Sequence, residues 1–166
     1  MYGFVPYNLS PIQQGIQFGH AVVEYMLKYH GEEDLVKWAK VDKTFIILNG
    51  GTFNDKTNDE GEYLGSMNRH RETLAANNIK HASFNEPDLQ DGLSAIVFLV
   101  DERVFDRDTY VLPEYPSPPG HYMVSPPSPM PIPQQYIDNY NIQVMNILGS
   151  AENIFLREFV KPFRLA

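Results

Sequence analysis

The stretch Asn8-Leu9-Ser10-Pro11-Ile12-Gln13-Gln14-Gly15-Ile16-Gln17-Phe18-Gly19-His20-Ala21-Val22-Val23-Glu24-Tyr25 decides how the chain is read, because it carries its own helix start. Ser10 can cap. Pro11 suits the first helical position, where a missing N–H costs nothing and the fixed φ already fits. Beyond the cap, Ile12, Ile16, Val23 and Leu27 recur at helical spacing, with Gly15 and Gly19 leaving room for close approach, so they predict a core-facing stripe. Beside it, Gln13, Gln17, His20 and Glu24 stand at steps of four, three and four, which a helix aligns into a ladder of amides, an imidazole and a carboxylate. That ladder is the first candidate for function.

Composition bounds the rest. A chain of 166 residues with 43% hydrophobic content is one ordinary domain with room for an appendage. It has no cysteine, which excludes disulfides, thiolate zinc sites and cysteine nucleophiles. No basic segment followed by an apolar run opens the sequence, and no stretch approaches the roughly 18 apolar residues of a membrane span. A soluble, cytoplasmic protein with no membrane partner is expected. The net charge of −8 argues against a uniformly basic surface for nucleic acid, since phosphate binding needs clustered Lys and Arg. A local patch can still be assembled from Lys37, Lys40 and Lys43, from Arg69, His70 and Arg71, and from Lys80 and His81, although each group also reads as ordinary solvated charge.

Taken in order, Tyr2 to Tyr7 is a short aromatic run that suits a strand, with Pro6 near its end. The first helix should span Pro11 to Tyr29 and stop at Gly31. Glu32, Glu33 and Asp34 open a second, shorter helix whose buried stripe is Leu35, Trp38 and Ala39. Thr44 to Leu48 is a strand ending in Asn49-Gly50-Gly51, followed by a polar, acidic loop from Thr52 to Gly61 whose glycines lack the spacing of a phosphate cradle. Ser66 to Asn77 reads as a helix carrying Met67, His70, Leu74 and Ala75 inward, and Ile79 to Phe84 as a third strand. After an acidic turn, Leu93 to Val100 is nearly continuously apolar, as a strand covered on both faces should be. The fold class implied is α/β, a three-layer α/β/α sandwich around a small mixed four-stranded sheet, ending near Phe105.

Beyond residue 105 the composition shifts, and nine of the 13 prolines fall between Pro113 and Pro133. Such a segment is neither helix nor central strand. It serves as a linker, as a ligand for a proline-reading domain, or as a strap over the protein's own surface; Tyr110, Tyr115, His121, Tyr122, Met123, Val124, Met130 and Ile132 give a strap something to bury. Two helices follow, Tyr136 to Leu148 and Ala151 to Val160. In the amphipathic tail formed by the second and the residues after it, Arg157, Lys161 and Arg164 stand among Phe155, Leu156, Phe159 and Phe163, a pattern shared by nucleic-acid and membrane surfaces and by a docked terminal helix; the break at Pro162 favours docking. The segments are therefore 1–105 as the α/β domain, 106–135 as a Pro-rich strap or linker, and 136–166 as a C-terminal helical extension.

The run Gln17-Phe18-Gly19-His20-Ala21, on a helix following the first strand, resembles the Q-x-x-H-A signature of the type 2 peptidyl-tRNA hydrolase family. The order of strand, signature helix, second helix, strand, helix, strand, acidic turn and strand is similar as well, over roughly residues 1 to 102. The resemblance implies a hydrolase that cleaves the ester joining a peptide or aminoacyl group to tRNA, without a metal or other cofactor. Carried over, the family's Gln and His fall on Gln17 and His20, and the lysine expected four positions earlier falls on Gln13, a neutral amide with no charge for a phosphate or an oxyanion. The family's catalytic Asp falls near Glu86 or Asp88, although the usual Asp-Ala-Gly-x-Thr pattern is absent, and Ser94 stands in the place of its threonine.

Such a site needs one carboxylate as general base and a few donors to position water and polarise an already activated ester. The expected base is Glu86 or Asp88, with His20 as the weaker candidate, and the positioning donors are Gln13, Gln17 and Ser94. Arg69 and Arg71 are the candidates to meet tRNA. Each has a plainer reading too: Glu86 and Asp88 as turn residues, and His20 as a helix-face histidine satisfied by a neighbour. Two functions from different classes follow. One is a peptidyl-tRNA hydrolase-like enzyme. The other is a binding or structural module on the same fold with a decayed site, in which residues 106–166 make a protein-protein or self-association surface.

Overall fold

The computed structural model describes residues 1–52, 59–61, 65–117 and 131–166. Most of the acidic loop after the second strand and, from the Pro-rich segment, His121, Tyr122, Met123, Val124 and Met130 lie outside the described residues. The fold is α/β, a mixed four-stranded sheet with helices on both sides. The described residues divide into two compact units, one of Met1–Val100 with Phe159–Ala166 and one of Asp101–Glu158. Among them no helix is long and apolar enough to cross a membrane.

In the first unit the sheet has the order β2-β1-β4-β3, built from β1 (Tyr2–Pro6), β2 (Ile46–Gly51), β3 (His81–Glu86) and β4 (Gly92–Phe98). β1 runs parallel to β2, with Phe4 opposite Leu48, and antiparallel to β4, with Phe4 opposite Ile96. β3 and β4 are antiparallel. Every residue of β4 is buried, which accounts for its unbroken apolar character: both of its faces are covered. β2 continues through Asn49-Gly50-Gly51 instead of stopping before it, because β1 still pairs Val5 with Asn49 and Pro6 with Gly51, leaving Gly50 as the extra residue of a bulge between them. Gly50 is needed there, since a Cβ would collide with Met67 Sδ and lie 2.8 Å from Phe4 Cβ.

Alternation along β1 assigns the two faces. Val5 joins Phe18, Ala21, Val22 and Tyr25 of α1 (Pro11–Lys28) in a core completed by Ala82, Ala95, Val97, Leu35 and Trp38. Leu35 lies on α2 (Glu33–Lys37), and Trp38 opens the π-type turn Trp38–Asp42 that follows it. Phe4 points the other way, stacking on His70 of α3 (Ser66–Ala76) with ring centroids 4.8 Å apart. Residues Phe159–Ala166 return to this second face. Phe163 sits edge-on to Phe4 at 4.6 Å, the Asn49 N–H donates to the Arg164 carbonyl and the Ala166 N–H to that of Ile47, so the tail pairs along the outer edge of β2. The expected docking of the C-terminal aromatics is thus made by an extended tail beyond Pro162 as well as by the helix end.

α1 presents a different face to the sheet from the one its isoleucines predict. Phe18, Ala21, Val22 and Tyr25 are buried, whereas Ile12 is 76% exposed and Leu27 68%. Both stripes have helical spacing. The sheet takes the one with two aromatic rings, which bury more area per residue. α3 is also corrected in part: Ala75 is exposed, while Asn68 is buried beside Met67 and Leu74.

The second unit contains α4 (Glu102–Phe105), α5 (Gln134–Leu148) and most of α6 (Ala151–Phe159). Arg157 is its hub. Its guanidinium donates to the carbonyls of Arg103 at 2.5 Å and Tyr110 at 2.7 Å, and its own carbonyl accepts from Arg107 Nη2 at 2.7 Å. Tyr115, from the described part of the Pro-rich segment, packs edge-on against Tyr140 of α5 at 5.0 Å.

Candidate functional site

Three elements of the first unit converge near the start of α1. Ser10 accepts from the Gln13 N–H, and the Ser10 N–H donates back to Gln13 Oε1 at 3.1 Å, a reciprocal cap that fixes where the helix begins. One residue on, Gln14 Nε2 donates to the Pro6 carbonyl at 3.0 Å and ties the first turn to the end of β1. Gln17 then faces the sheet, 6% exposed.

The sheet meets Gln17 at an irregularity. Phe84 pairs with Ala95 and Asn85 with Leu93, so Ser94 is an extra residue in β4, a bulge. Alternation alone would give Ser94 the same face as Ile96 and Phe98, on the side of α3; the bulge turns it toward α1. Ser94 Oγ lies 2.7 Å from Gln17 Oε1 and 3.1 Å from the Phe84 carbonyl, and its single proton serves these two acceptors. At the end of β3, Glu86 caps a short 3₁₀ turn (Pro87–Leu89) by accepting from the Asp88 N–H. The turn closes through Gln90 and Asp91, both at φ 58, with Asn85 Nδ2 donating to the Asp91 carbonyl at 2.6 Å.

These placements make one chain of hydrogen bonds. The Ser94 hydroxyl donates to Gln17 Oε1, and Gln17 Nε2 donates to Glu86 Oε2 at 2.5 Å. The hydroxyl end is fully buried and the carboxylate end half-buried, so a dry anchor holds an amide that in turn orients an accessible carboxylate. One turn further along α1, the exposed His20 stacks on Phe84 at 4.6 Å and 24°. Its imidazole therefore lies over β3, on the strand that carries Glu86. Chemically this is a carboxylate held by a neutral donor, with an imidazole on the same side of the sheet. It can accept a proton from water and position a polar substrate.

The structure brings Gln17, Glu86 and Ser94 together, with His20 on the neighbouring turn. Asp88 is exposed and reaches the group only through its backbone N–H. Gln13 is spent on the helix cap and is exposed. Arg69 and Arg71 belong to α3, on the opposite side of the sheet from α1; Arg71 Nη2 donates to Asn68 Oδ1. Among the described residues, the hydrogen-bond partners of Glu86 are Gln17 and the Asp88 backbone, and neither is cationic. The described residues also contain no group of His, Asp and Glu arranged to hold a metal ion. Sequence reasoning did not single out Phe84, the platform for His20, or Asn85, which ties the turn. No local pattern marks either, because both act through the β3–β4 register. No protein-family model matches the chain, and comparison with curated proteins finds no match.

Proposed function

We propose that this chain is a hydrolase of the peptidyl-tRNA hydrolase type, cleaving the ester between a peptide or aminoacyl group and tRNA with its own side chains. The observation that carries the reading is the Ser94–Gln17–Glu86 hydrogen-bond chain, because it joins Gln17 to two residues 69 and 77 positions downstream, all three of which the resemblance implies. Glu86 takes a proton from water as the water attacks the ester carbonyl. The tetrahedral intermediate then expels the ribose hydroxyl, which recovers the proton. Gln17 holds the carboxylate in register, Ser94 holds Gln17, and His20 lines the approach. A tRNA substrate would place the protein in the cytoplasm.

A second reading, a binding or structural module on the same fold, is favoured by one arrangement. Gln13, where the resembled enzymes carry lysine, is turned into a helix cap, and the Arg69–Arg71 pair lies across the sheet from Glu86.

The test is turnover of peptidyl-tRNA by the purified full chain. Wild type should release free peptide, Glu86→Gln should lose activity by roughly a hundredfold or more, and Ser94→Ala should lose less than Gln17→Ala. Absence of turnover by wild type at high enzyme concentration, or full activity in Glu86→Gln, sinks the enzymatic reading in favour of the module.

A further inference from the structure

We infer that two copies of this chain pair through the outer face of α1, helix against helix and antiparallel. This surface lies apart from the Ser94–Gln17–Glu86 chain, which points from the same helix toward β3 and β4. Ile12, Ile16, Gly19, Val23 and Met26 follow one another at steps of four, three, four and three, the 3.5-residue repeat of a helix-pairing seam. All five are exposed: Ile12 by 76%, Ile16 by 51%, Val23 by 55% and Met26 by 43%, with Leu27 flanking at 68%. A Cβ added at Gly15 or Gly19 would meet nothing within 4 Å.

The pattern fits a second copy on three grounds. Its residues are self-complementary under a two-fold axis at Gly19: Ile12 then faces Met26 of the other copy, Ile16 falls within one residue, about 1.5 Å, of Val23, and Gly19 faces Gly19, so bulky ends meet bulky ends and the backbones close at the centre. No seam residue is charged, although the chain carries −8, so two like-charged copies meet where neither presents charge. Covering these side chains removes on the order of 500 Å² per copy, roughly 1,000 Å² for the pair, which reaches the threshold of a specific interface. The antiparallel sense also opposes the two helix dipoles favourably.

The absence of cysteine makes the geometry directly testable in the full chain. Under mild oxidation Gly19→Cys should give a disulfide-linked dimer in high yield. Ile12→Cys should not, because the antiparallel pairing separates the two copies of residue 12 by roughly 20 Å. Wild type should sediment as a dimer, and Ile16→Glu with Val23→Glu as a monomer with an unchanged circular dichroism spectrum, both side chains being exposed. A wild type that sediments as a monomer across the accessible concentration range overturns the inference. So does a dimer that survives the double substitution, or one cross-linked by Ile12→Cys faster than by Gly19→Cys.

Discussion

His70 sits among three phenylalanines, stacked on Phe4 and edge-on to Phe159 and Phe163, with the Gly50 carbonyl as a hydrogen-bond partner and Arg69 as its charged neighbour. Burial holds its pKa below the ordinary 6.5, and the nearby Arg69 lowers it further against the raising effect of the Gly50 carbonyl. At higher pH the ring is neutral in both states, but as pH falls through 6.5 the unfolded chain takes the proton first, so stability is lost on acidification. Urea unfolding from about pH 7.5 to about pH 5 should show this slope, and His70→Gln should flatten it relative to wild type. A variant with an unchanged slope would remove His70 as the cause. The same residue scale shows what a local pattern holds: Ser10-x-x-Gln13 is itself a capping-box signature, so the role of Gln13 as a cap was readable without any fold.

Elements were legible where one physical signal dominated and misread where two competed. β4 announced itself by an unbroken apolar run, and α1 by its cap. Which face of α1 is buried did not follow from its sequence, because two apolar stripes share the helix and only the sheet's shape chooses between them. The bulge at Ser94 left no local mark either, since it exists only in the register between β3 and β4. Gln17, Glu86 and Ser94 could each be singled out, but their contact could not. At the C-terminus of α5, Gly149 has φ 80, and a Cβ there would collide with the Arg103 guanidinium. Gly149→Ala should therefore destabilise the second unit by about 1 kcal/mol or more, whereas Gly31→Ala, with nothing within 4 Å, should be nearly neutral. Thermal melts of the two variants check the contrast.

At the scale of the molecule, composition located the change near residue 105, and the structure divides at Val100 and Asp101. The aromatics around Pro162 already pointed to a docked tail; what the sequence order could not reveal is where Phe159–Ala166 docks, against Phe4 and the outer edge of β2, a contact between distant segments with no periodicity to betray it. That return covers Phe4 and His70 and pairs the outer edge of β2. Deleting Phe163–Ala166 should open that edge: the Asn49 amide, which donates to Arg164, should lose its hydrogen-exchange protection, and the melting temperature should fall. Retained protection at Asn49 would mean that the tail is dispensable to the sheet.

The same pairing sets a timetable for synthesis. β2 is complete once Gly51 has been made, yet the segment that closes its edge lies roughly a hundred residues downstream, which a ribosome reaches only after about ten seconds. Once β4 has been made as well, the sheet waits for the tail with an open β2 edge and with Phe4 not yet covered by Phe163, the kind of surface that holding chaperones engage.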